Sequence, residues 1–94
     1  MEQRTEALYF VVSGRVQGVA FRAFARREAE ARSLVGWVAN TPEGTVEGVV
    51  AGGAAEVDEL VGLLSEGPVA ARVTDVRTEP LTLSQELPPG FHVR

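Results

Sequence analysis

Near the start of the chain, the stretch Val12-Ser13-Gly14-Arg15-Val16-Gln17-Gly18-Val19-Ala20-Phe21-Arg22 combines residue types suited to holding an anion. It leaves an apolar run, crosses a loop bracketed by Gly14 and Gly18, and enters a segment with helical periodicity. A strand that ends in such a loop and restarts as a helix aims several backbone N–H groups at one point. The free N–H groups of the helix's first turn add partial positive charge there. Glycine adopts positive φ cheaply, as a nest of successive amides requires. Arg22 falls in the first helical turn, where its guanidinium could close over the bound group. The predicted ligand is small, anionic and tetrahedral, most simply a phosphate.

These residues resemble the first signature of the acylphosphatase family, a G-x-V-Q-G-V-x-F-R loop that binds the phosphate of an acyl phosphate. A second stretch, Gly36-Trp37-Val38-Ala39-Asn40-Thr41-Pro42-Glu43-Gly44-Thr45-Val46, is similar to the family's other signature. A lone glycine loop brackets many turns that hold nothing, whereas two signatures in order make a specific match. The resemblance runs from about Tyr9 to the C-terminus. It implies hydrolysis of acyl phosphates to a carboxylate and phosphate, with Arg22 clamping the phosphate and Asn40 positioning the attacking water. Arg15, Val16, Gln17, Gly18, Val19 and Ala20 would supply mainly main-chain N–H groups. Family members often carry glycine where this chain has Ala20, a departure that matters only if φ is positive there.

The chemistry fits the residues available. The carboxylate of an acyl phosphate leaves without a proton, so neither a general acid nor a covalent nucleophile is required. What remains is to hold the phosphoryl oxygens, neutralise charge and place a water in line. The chain has one His, no Cys and no carboxylates at metal-ligand spacing, so no metal or cofactor is expected. A guanidinium matches two phosphate oxygens at once, although an arginine on an amphipathic helix is ordinarily just solvated. A carboxamide can accept from water while donating to a phosphate oxygen, although asparagine is also common before a turn. The side chain of Arg15 reads as solvated, Phe21 and Trp37 as core, Glu43 as a turn residue, and His92 has no assigned role.

Composition narrows the alternatives. The 94 residues make one domain, expected over residues 7–94 behind a flexible tail at residues 1–6. Without cysteine there are no disulfides and no thiolate sites, which suits a reducing cytoplasm. No apolar run reaches membrane-span length and no basic-then-apolar leader is present, so no membrane partner is expected. All nine basic residues are arginine, and the net charge is −4. That balance disfavours nucleic acid as a partner and makes a local anion site informative. The expected partner is a small acyl phosphate, with phosphate or sulfate as simpler occupants, bound by a monomer. The rivals are a non-catalytic module that binds acyl or carbamoyl phosphate, and an RNA-recognition domain stacking bases on Tyr9 and Phe10.

The elements must bring the loop and Asn40 together. Alternation predicts strands over 7–13, 34–40 and 45–52, the last two joined as a hairpin by Thr41-Pro42-Glu43-Gly44. Helical spacing is predicted over Phe21–Arg32 and over residues 53–66, the latter stopped by Gly67-Pro68. Arg32 and Ser33 stand where the family usually has leucine and glycine; Arg32 is expected to lay its stem on apolar surface with its head in water. A bulged or edge strand is predicted over 69–79, a loop over 81–90, and a short last strand over 91–94. This β-α-β-β-α-β order predicts a ferredoxin-like α+β sandwich, an antiparallel sheet with both helices on one face.

Overall fold

The computed structural model describes residues 4–94. Five strands and two helices follow in the order β1 (Thr5–Arg15), α1 (Phe21–Ala31), β2 (Val35–Asn40), β3 (Val46–Gly53), α2 (Ala54–Glu66), β4 (Arg72–Pro80) and β5 (Phe91–Val93). They build one sheet in the order β4-β1-β3-β2-β5. Central β1 and β3 alternate so that Phe10, Val12, Val46 and Val50 point to one face. There they meet Phe21, Ala25 and Ala29 of α1 and Val57, Leu60 and Leu64 of α2 in a single core. Gly48 stands opposite Phe10, and a Cβ at that position would run into the Phe10 ring. The ferredoxin-like α+β fold is therefore as expected, with both helices on one side.

Several particulars differ from the sequence reading. The sheet is mixed, because β5 pairs parallel with β2 while the other three pairings are antiparallel. β1 begins at Thr5, where Thr5 and Glu6 pair with Gly53 and Gly52. Backbone pairing carries the strand into a polar segment expected to be tail; residues 1–3 of that tail lie outside the described residues. β4 starts at Arg72, three residues late, because Ala71 N–H donates to the Pro68 carbonyl at 2.9 Å and closes a turn. The expected irregularity is present: β4 is an edge strand, and its register against β1 shifts between Ser13 and Gly14, leaving Thr74 unpaired.

The end of α1 also departs from expectation. The Arg32 head is not left free in water: its Nη1 donates to the Glu28 carbonyl at 2.9 Å and to Glu28 Oε1 at 3.0 Å. Its Nε lies 3.8 Å from Glu59 Oε2, so the side chain links α1 to α2. Ser33 takes the left-handed conformation that glycine would adopt freely, at φ 56°. Among the described residues no helix is long and apolar enough to cross a membrane.

Candidate active site

The loop between β1 and α1 is pinned from inside by apolar side chains. Val16 is buried and Val19 packs against the same core, which turns the other side of the backbone outward. Gly14, at φ 122°, lies so close to β4 that a Cβ would strike the Arg72 carbonyl. Gly18 and Ala20 hold left-handed angles, φ 72° and 61°. Ala20 is the N-cap of α1 and provides no side-chain cap. Among the described residues, no backbone N–H from Val16 to Ala23 donates a backbone hydrogen bond. A run of free donors is thus gathered at the positive end of the helix.

Arg22 is partly exposed one turn into the site. Its Nη1 donates to the Arg94 main-chain oxygen at 2.8 Å, which aims the rest of the guanidinium fork. Arg94 is itself held: its N–H donates to the Val38 carbonyl at 2.8 Å, and its guanidinium lies 4.4 Å from the Trp37 ring centroid. Trp37 is accordingly half-buried on the helix-free face of the sheet rather than in the core. Strand alternation turns its neighbours Gly36 and Val38 inward and Trp37 outward. Phe21, by contrast, is core as expected.

Asn40 ends β2 opposite Val46. The turn that follows is closed by Thr41 N–H to the Thr45 carbonyl, 3.0 Å, and by paired hydroxyls of Thr41 and Thr45, 2.7 Å apart. From the loop, Gln17 Nε2 donates to the Thr41 carbonyl at 2.8 Å and the Thr45 carbonyl at 2.9 Å. The Gln17 side chain is a strut that fixes the β1–α1 loop against the turn after Asn40. The sequence implies mainly a main-chain role for Gln17. No local signal marks the strut, because its partners are 24 and 28 residues away.

Arg22, Asn40, Val16, Gly18 and Ala20 border one open cleft of about 670 Å³. The residues expected to act together are therefore together. Arg15, Gln17 and Val19 do not border this cleft: Arg15 is exposed at the end of β1, Gln17 faces the turn and Val19 faces the core. His92 also lies off the cleft, with its Nε2 donating to the Pro89 carbonyl at 2.9 Å. Glu43 is exposed in the turn, as expected. Among the described residues no three His, Asp or Glu side chains converge as metal ligands.

Fold and site together define a small ferredoxin-like α+β protein with a loop of free amides, an arginine and a carboxamide around one cleft. The acylphosphatase family model matches residues 8–93. An acylphosphatase of Burkholderia lata is 48% identical over 79 residues, covering 84% of this chain and 81% of the relative. Solved acylphosphatases superpose closely. That of Coxiella burnetii has a TM-score of 0.89 at 38% identity, over 96% of this chain and 93% of its own. That of Bacillus subtilis reaches 0.90 at 31% identity, over 97% and 99%. The chain belongs to the acylphosphatase family.

Proposed function

We propose that this enzyme hydrolyses acyl phosphates to a carboxylate and inorganic phosphate without a metal ion, using Arg22 and the loop amides as phosphate clamp and Asn40 to orient water. The observation that carries the reading is the convergence of free loop amides, Arg22 and Asn40 on one cleft. In the reaction, a water oxygen bonds to phosphorus as the bond from phosphorus to the acyl oxygen breaks. The electron pair leaves with the carboxylate; one water proton stays in the new P–OH group and the other passes to a phosphate oxygen. Charge on the equatorial oxygens meets donors already in place, which is where such a site gains its rate. Asn40 accepts from the water through its carbonyl and carries no charge to repel the anion.

The partner in this proposal is a small acyl phosphate, with phosphate or sulfate occupying the same clamp and the protein acting as a monomer. A cytoplasmic setting belongs to the proposal too, supported by a composition without cysteine. The test is an assay with benzoyl phosphate, with and without a chelator. Turnover that the chelator leaves unchanged supports the reading. A requirement for a divalent ion overturns the metal-free mechanism, and binding without turnover makes the protein a carrier.

A further inference from the structure

The cleft extends past the phosphate clamp along α1, and its outer wall is unusually basic for an acidic protein. Arg26 and Arg27 border it together with Glu30 and Val93. Counting Arg22, three arginines and one carboxylate face a shared cleft in a chain of net charge −4. Arg26 lies one helical turn beyond Arg22, about 6 Å along the axis. Its Nε is 3.5 Å from Glu30 Oε1, and the Arg27 Nε is 3.7 Å from Glu28 Oε2. Among the described residues neither guanidinium donates a hydrogen bond within the protein. Arg27 also rests against the Phe24 ring, 5.9 Å from its centroid, which limits where its head can go.

We infer that Arg26 and Arg27 form a second anion subsite for the acyl portion of the substrate, selecting acyl phosphates that carry a further negative group about one helical turn from the phosphorus. This rests on the proposed hydrolysis and names its substrate class. With the phosphoryl group at the loop, the part of the cleft left for the acyl group is the part that Arg26 and Arg27 border. A carboxylate there meets two guanidinium forks; the opposing charges are Glu30, beside Arg26, and Glu28, beside Arg27 and already bonded to Arg32. The clamp cannot supply this discrimination, because every acyl phosphate presents it with the same phosphoryl group.

The test compares 4-carboxybenzoyl phosphate with its neutral 4-carboxamide analogue, each against benzoyl phosphate. In the para position the carboxylate cannot attack its own anhydride. Wild-type protein should favour the carboxylate over the carboxamide by about twofold to fivefold in kcat/KM, the range of an exposed ion pair. Differences in leaving-group electronics cancel when that ratio is itself compared between wild type and the Arg26→Gln/Arg27→Gln double variant. The double variant should lose most of the preference, Arg26→Glu should reverse it, and added salt should erode it in wild type. Equal ratios in wild type and both variants, each with native circular dichroism, would make these arginines ordinary solvated helix residues. No turnover of benzoyl phosphate by wild type would instead remove the hydrolysis itself, and the subsite with it.

Discussion

Lysine at position 22 keeps the charge of arginine and loses its paired donors. In this cleft one Nη of Arg22 is already committed to the Arg94 main-chain oxygen, so the remaining donors must be correctly placed by the fork itself. Arg22→Lys should lower kcat on benzoyl phosphate by about two orders of magnitude or more, with weaker inhibition by phosphate. Unchanged turnover in a folded variant would make Arg22 a surface residue. A second residue-scale expectation concerns Tyr9, the sole tyrosine of the chain. Its hydroxyl donates to Glu47 Oε1 at 2.8 Å, and this bond, with desolvation and the Glu47 charge, raises its pKa above 10.0. The proton is held more tightly in the folded state. The resulting stabilisation is full below about pH 10 and is lost as pH rises through the raised value. Tyrosinate absorbance of the native protein should therefore develop above pH 10 and shift downward in Glu47→Ala. A native titration at or below 10 would contradict this.

At the scale of elements, the helix end carries the clearest departure from an easy backbone. Ser33 sits at φ 56°, a conformation that costs a non-glycine residue about 1 kcal/mol. Ser33→Gly should relieve most of that and raise Tm by about 5 °C for a domain of this size; thermal unfolding checks it, and an unchanged or lower Tm refutes it. Much of this level was legible in the sequence. Period-2 and period-3.6 patterns located the first three strands and both helices, Pro and Gly marked the hairpin turn, and the broken alternation of β4 marked it as irregular. The illegible parts all depend on distant partners. Polar Thr5 and Glu6 join β1 because Gly53 and Gly52 offer them a ladder. Arg32 is drawn from water by Glu28 and by Glu59 on the other helix. Gln17 braces a turn that no reading of its own loop could reveal. Arg22 and Asn40 were legible through family signatures more than through their types, since an exposed arginine and a turn asparagine are commonplace.

The whole molecule is what brings the two signatures together. β1 and β2 are not neighbours; β3 lies between them, and the loop reaches Asn40 only because the hairpin turn folds back to Gln17. The last strand, pairing parallel to β2, closes the assembly and delivers the Arg94 main-chain oxygen to Arg22. A ligand of this site therefore binds only the folded chain. Phosphate at ten times its dissociation constant should stabilise the fold by about 1.4 kcal/mol, seen as a Tm rise absent with sodium chloride of equal ionic strength and much reduced in Arg22→Lys. Equal shifts with both salts would mean that no specific anion site exists.

The division of labour across the cleft is the central claim, and Asn40→Ala tests it most directly. If Asn40 orients the attacking water, its contribution is made chiefly in the transition state, whereas the loop and Arg22 also hold substrate and product. Steady-state kinetics of Asn40→Ala on benzoyl phosphate, with inorganic phosphate as inhibitor, should give a kcat lower by about 10²-fold or more while KM and the phosphate inhibition constant move little. A folded Asn40→Ala protein with the kcat of wild type would contradict the account and leave Asn40 as nothing more than the last residue of a strand.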